Sequence, residues 1–201
     1  VKAESDDVRV AAAGNVSASG KVALGGAVAY NDVGGASAST ERASQKTRAA
    51  LNKTTLTHVT GGSTSVQAVD GSTLTTAAVG VGGAGKVAVQ GAAATALVNK
   101  AVTAEVQDTN VDKDTDKVAY VTVQADSKSS INSLAAVGAG GSDFAGGAGV
   151  SENRINQDTT ATLSGSTVKD RHTTVQAAGD SAITSIGVGA AVAGKAALAG
   201  N

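Results

Sequence analysis

The chain has 201 residues, a formal net charge of −1, and no Pro, Cys, Met or Trp. One Phe and two Tyr are its only aromatic side chains, so it lacks the large groups from which compact cores take much of their buried area. Near-neutral charge gives no polybasic surface for nucleic acid or an anionic membrane, and the absence of Cys fits an exported bacterial protein that folds without disulfides. Along the chain, four related blocks begin at Val8, Val66, Val123 and Val175, spaced by 58, 57 and 52 residues. The last three open on Val-Gln-Ala and the first on a diverged Val-Arg-Val. Eight residues into each block lies an aliphatic residue (Val16, Leu74, Ile131, Ile183), with small or short polar residues two positions to either side. Self-similarity on this scale predicts stacked structural units.

Two further landmarks recur. Ala49, Leu51 and Leu56 share their spacing with Ala104, Val106 and Val111, and with Ala161, Leu163 and Val168. A Gly-rich phrase follows each block start, at residues 24–27, 79–84, 137–141 and 188–191. Each unit of about 57 residues thus holds three recurring pieces, about 19 residues apiece. Within them apolar residues alternate with small or polar ones, as at Leu74, Thr76 and Ala78 or Val87 and Val89, the period of strands with one buried face. The Ala-rich stretch 91–97 has high helix propensity, but Gly, Val and Thr recur too often for a sustained helical stripe. Disorder is disfavoured by the same β-branched alternation.

These features predict an all-β parallel β-solenoid in which each circuit of about 19 residues stacks on the last. About ten circuits of short strands, three to six residues each, would make a rod roughly 50 Å long. Asn31, Asn99 and Asn153 are expected as turn residues, and residues 32–48, polar and poor in aliphatics, as a projecting loop or a weakly patterned stretch of coil. The most apolar run, 183–198, is short, rich in Gly and Ala, and carries Lys195, so no helical membrane span is expected. The last block stops partway through its repeat, and residues 1–201 are expected to be a single solenoid segment of a longer polypeptide.

The phrase Val-Gln-Ala-x-x-x-Ser-x-Ile-x-Ser at residues 123–133 and 175–185, with Val-Gly-Val-Gly-Gly-Ala at 79–84, resembles the repeats of large secreted bacterial adhesins of the filamentous-haemagglutinin type, including the leukotoxin-like ones. The resemblance covers essentially the whole chain. It implies a right-handed parallel β-helix, export through an outer-membrane pore by two-partner or autotransporter secretion, and a place on the cell surface or in the medium. It carries over no catalytic residue. The function expected is that of a structural and adhesive stalk segment, meeting a surface ligand of the host or a neighbouring cell, with lateral self-association as a further expectation. A β-helical polysaccharide-processing enzyme and a trimeric autotransporter head, the latter suggested by residues 19–25, are the alternatives.

Candidate chemistry is sparse. The run Asp108, Asn110, Asp112, Asp114 and Asp116 alternates oxygen donors that suit Ca²⁺, but an EF-hand starting at Asp112 would have Lys117 in place of Gly and Val123 in place of Glu. Residues 138–143 faintly echo a Ca²⁺-binding nonapeptide, once and incompletely. His58 and His172 have no metal-ligand spacing. No Gly-x-Ser-x-Gly elbow and no phosphate loop occurs; Gly83, Ala84, Gly85 and Lys86 lack the spacing and the hydroxyl. The expectation is a non-enzyme with no catalytic, cofactor or metal site, whose Gly-rich phrases serve tight packing or bends.

Overall fold

The computed structural model describes residues 1–35, 45–59, 63–113, 120–169 and 172–201. Among them the chain forms strands only: β1 (Lys2–Ser19), β2 (Val22–Val33), β3 (Gln45–Asn52), β4 (Thr55–Val59), β5 (Ser63–Ala84), β6 (Val87–Gln107), β7 (Asn110–Lys113), β8 (Tyr120–Gly141), β9 (Phe144–Ser164), β10 (Thr167–Val168), β11 (His172–Ala193) and β12 (Ala196–Gly200). They build three sheets. The first has the order β1-β5-β8-β11, the second β12-β9-β6-β2 with β3 also on β6, and a narrow third β10-β7-β4. Every pairing is parallel. The chain runs along the first sheet, turns, returns along the second, crosses the third side and starts again one rung higher. This is a parallel β-solenoid, as the alternation predicts.

Circuit length departs from expectation. Ser63 pairs with Tyr120, Val87 with Phe144 and Asn99 with Asn156, partners 57 residues apart. One circuit is therefore a whole repeat unit rather than a third of one, and the estimate of ten short circuits goes with that division. Two sides are strands of 21 or 22 residues. The Gly-rich phrases do not break them, because they lie inside strands and alternate between the two faces. A 22-residue strand spans roughly 73 Å and four rungs only about 14 Å from first to last, so the stack is a broad slab rather than a slender rod.

Most of the sequence landmarks fall into common columns of the register. Ala49, Ala104 and Ala161 align, as do Leu51, Val106 and Leu163, and Leu56, Val111 and Val168. Leu74, Ile131 and Ile183 form one column. The first block is misplaced: Leu74 faces Arg9 across the ladder, Val8 pairs with Thr73, and Val16 pairs with Val81 and is 83% exposed. The backbone N–H of Gln67 bonds to the carbonyl of Val1, so the counterpart of Val66-Gln67-Ala68 is Val1-Lys2-Ala3. Among the Gly-rich phrases, Val79 and Val188 align with Ala136 while Val137 sits one position on, facing inward. Residues 24–27 belong to the second sheet, against 89–92.

Asn31, Asn99 and Asn153 are strand residues, not corners. Asn31 is buried and donates to the carbonyls of Arg9 and Thr75, and Asn99 accepts from Asn156. A repeated corner lies elsewhere, at Lys53, Asp108 and Gly165, with φ of 48°, 48° and 56°. This left-handed conformation is strained for ordinary side chains, and only Gly165 shows it in its residue type. Of the stretch 32–48, residues 36–44 lie outside the described residues, and 45–48 open β3.

Side-chain size decides how far apart the two long sheets stand. Toward the third side the interior holds Val66, Val102, Val106, Val121 and Val123, and then Val33, Leu74, Val98 and Ile131. Toward the corner that links the long sheets it narrows to Ala78, Ala88, Ala135, Ala139 and Ala145. There a Cβ on Gly80 would lie 2.8 Å from the carbonyl oxygen of Gly91, and one on Gly147 2.7 Å from a Val137 methyl. At Gly80 the opposing backbone leaves no room for a side chain, while Gly147 and Gly82 leave room for the buried side chains of Val137 and Gln90. The cross-section is a wedge with its thin edge at the Gly-rich phrases.

Ile131 is fully buried, whereas Ile183 in the same column is 50% exposed, because β12 covers only Phe144–Ala148 and leaves no strand across from it. Ile131→Ala should therefore destabilise the chain by about 2–5 kcal/mol and Ile183→Ala by less than about 1 kcal/mol. Urea unfolding followed by circular dichroism separates the two; equal effects would contradict the register.

Candidate functional site

Midway along the long sheets, the aliphatic interior is interrupted by a polar layer. The register stacks Ser5, Asp70, Ser127 and Gly179 in the first sheet and Gln45, Lys100 and Gln157 in the second. Each rung satisfies its own pair. Gln45 donates to Ser5 at 2.9 Å, and Ser127 and Ser129 donate to Gln157 at 3.3 and 2.9 Å. In the middle rung the pair is ionic: Lys100 Nζ lies 2.6 Å from Asp70 Oδ1, with both side chains fully buried. Lys100 also donates to the carbonyl of Lys128 at 2.6 Å, and Thr47 donates to Asp70 Oδ2 at 2.7 Å. A buried charge requires this degree of partnering. Lys100 is thereby held by Asp70, Ser72 and the Lys128 carbonyl, with its side chain closed off from solvent.

Outside this layer, the same stretch of the first sheet carries a shallow cavity of about 360 Å³. Its floor is the outward column Asp6, Gly71, Lys128 and Asp180, flanked by Thr73 and Ser130. Gly71 makes the notch, and Asp6 leans into it, with Oδ1 2.8 Å from where a Cβ would sit. The inner and outer features share a backbone, because the carbonyl of Lys128 receives the buried ammonium. Asp6 and Asp180 stand three rungs apart, about 14 Å, beyond the roughly 5–9.5 Å that paired carboxylates span in glycoside hydrolysis.

The candidate residues named from sequence do not converge. Among the Asp-rich run, Asp108 occupies the positive-φ corner, Asn110 pairs with Thr55 and Thr167 in the third sheet, and Asp114 and Asp116 lie outside the described residues. Asp143, at the end of the nonapeptide-like phrase, pairs with Lys195 at 2.8 Å. The His172 ring stacks on Tyr120 at 5.1 Å between centroids, and His58 lies in β4. No group of three or more His, Cys, Asp or Glu among the described residues could hold a metal ion. No helix among them is long and apolar enough to cross a membrane. The polar layer was missed because its members belong to different phrases and meet only once the register of whole repeat units is known. Arg9, inward on β1, takes the place of the aliphatic column. Its pKa is raised, first by the hydrogen bond to Asp7 and then by the charges of Asp7 and Asp32, against desolvation.

Comparison with known protein families, with curated proteins and with solved structures finds no match.

The neighbouring rungs show what the middle rung could hold instead. Asp70→Ser alone or Lys100→Gln alone leaves a buried charge unpaired and should cost about 3–5 kcal/mol. The double variant Asp70→Ser/Lys100→Gln reproduces the Ser–Gln pair of the rung above and should recover most of that loss. Chemical denaturation of the three variants measures the coupling, and additive losses would show that the pair is not the unit of stability.

Proposed function

We propose that this chain is a structural and adhesive segment of an exported bacterial surface fibre, passed through an outer-membrane pore and folded outside, with no catalytic step of its own. The observation that carries the reading is the ladder itself. Each long rung of the first sheet templates the next in register, without a bulge, across β1, β5, β8 and β11. Such an array extends by repetition, and its stability grows by neighbour contacts. The Val-Gln-Ala and Gly-rich phrases that resemble filamentous-haemagglutinin-type repeats support the surface location. The absence of Cys and Pro suits a chain that crosses a pore unfolded, needing neither disulfide formation nor slow proline isomerisation outside.

The breadth of the slab refines the role. One full repeat unit of chain is used for a rise of about 4.8 Å, so the segment supplies wide outer faces more than reach, and contact with a surface ligand or with other fibres is what those faces provide.

Antibodies raised against this chain should label intact source cells, and mild protease treatment of those cells should abolish the labelling. Labelling that appears only after lysis would overturn the surface assignment. Release of reducing ends from a polysaccharide panel by the purified chain would overturn the non-catalytic one.

A further inference from the structure

The outer face of the first sheet divides sharply in two. Its charged residues (Lys2, Glu4, Asp6, Asp126, Lys128 and Asp180) all lie in the columns before Val8. From Val8 in β1, Thr73 in β5, Ser130 in β8 and Ala182 in β11 onward, six outward columns on four strands give 24 positions without a single charge, in a chain that is 16% charged. Several are large and open to solvent: Val10 is 73% exposed, Ile186 51% and Val188 48%. Six columns of two residues and four strands cover about 40 Å by 19 Å, roughly 770 Å². That is close to the ~800 Å² that each partner contributes to a standard protein interface. Five of the 24 positions are polar (Thr73, Thr75, Ser130, Asn132 and Thr184), and the four columns from Ala12 onward are wholly apolar. These four form a contiguous outward patch of about 26 Å by 19 Å, roughly 500 Å², a size that marks an interaction surface.

We propose that this face binds a second copy of the same chain, through a two-fold axis parallel to the strands and midway between β5 and β8. Such an axis keeps each column on itself and reverses the rung order, and the columns complement themselves under that operation. Ala12 meets the partner's Ile186, and Ala77 meets the partner's Leu134. Gly14 meets the partner's Val188, and Val79 the partner's Ala136. Val16 meets the partner's Ala190, Val81 the partner's Gly138, and Ala18 the partner's Val192. In the four columns beginning at Ala12, only Gly83 against the partner's Gly140 fails to set a larger side chain on a smaller one. Space above the small residues is free: a Cβ on Gly14, Gly83 or Gly140 would touch nothing within 4 Å. An isologous contact of this kind closes as a dimer, with two sheets packed face to face and nearly aligned.

The second sheet offers a poorer match. Its charge-free part is smaller, and the same operation would set Leu24 against the partner's Leu198. A lipid surface is also a poorer fit, since the patch has neither the aromatic belt nor the Lys and Arg that anchor proteins at that interface. The contact uses the first sheet alone and does not require the chain to belong to a surface fibre.

Sedimentation equilibrium over a concentration series should show a reversible monomer–dimer equilibrium. Ala77→Leu should weaken it about tenfold or more by overfilling the small site opposite Leu134, and Ala77→Leu/Leu134→Ala, which exchanges the two sizes, should restore it. Leu24→Lys, on the other sheet, should leave it unchanged, with circular dichroism verifying the fold of each variant. A monomer at all concentrations, a dimer indifferent to Ala77→Leu or lost in Leu24→Lys, an open-ended series of masses from edge-to-edge stacking, or binding to phosphatidylcholine vesicles in place of dimerisation would each overturn the proposal.

Discussion

The structure depends on one constraint: the parallel ladder that sets each repeat unit on the next. Parallel pairing lets no strand close on its sequence neighbour, so every backbone hydrogen bond of a long strand comes from the circuit above or below. Once Ser63 is opposite Tyr120, every residue of β5 has its partner, and the inward column at each position is decided too. A slip of one residue would turn every inward side chain out. Both the buried aliphatic columns and the polar layer resist that slip.

The polar layer specifies register more sharply than the apolar columns do. An Ala or Val column tolerates exchange with another Ala or Val column at a modest loss, because the contacts are non-directional. Asp70 and Lys100 tolerate no such exchange. A slip by two residues would leave one buried charge facing an aliphatic side chain, at the cost of an unpaired ion. Only one described rung carries the ionic version, while its neighbours use Ser with Gln. An ion pair in the middle rung, with neutral hydrogen-bonded pairs on either side, fixes the alignment of three rungs while desolvating only two charges.

Much of the fold was legible in the residues, and the limit of legibility has a clear physical source. Period-two alternation identified strands, and the phrase anchored on Ala49, Ala104 and Ala161 aligned correctly through the third side. What could not be read was which of two nested periods closes a circuit. Three recurring pieces within one repeat unit look like three short circuits if each Gly-rich phrase is a corner. They are one circuit if glycine instead marks where two sheets approach closely. Local sequence does not separate a bend from a thin place. The misplaced first block has a similar origin: Val1-Lys2-Ala3 and Val8-Arg9-Val10 both resemble Val-Gln-Ala, and the hydrogen bond from Gln67 to Val1 decides between them. The polar layer is least legible, because a lysine buried in a narrow interior reads in sequence as one more surface charge.

The wedge shape joins interior to exterior. Where the inward residues shrink to Gly and Ala, the sheets approach and the aliphatic content of the strands moves outward: Val79 and Val81 face solvent beside the inward Ala78, Gly80 and Gly82. The same holds across the corner, where Val22, Leu24 and Val28 project from β2 while Ala23, Ala27 and Ala29 point inward. An interior this thin buries little apolar area per residue, and backbone pairing to the adjacent rungs carries a larger share of the cohesion than in the wide half. The aliphatic side chains displaced to the outer face remain hydrated in an isolated slab. Their burial is available only to a contact made from outside, so the thinness that brings the long sheets together also creates the apolar surface that a second molecule can cover.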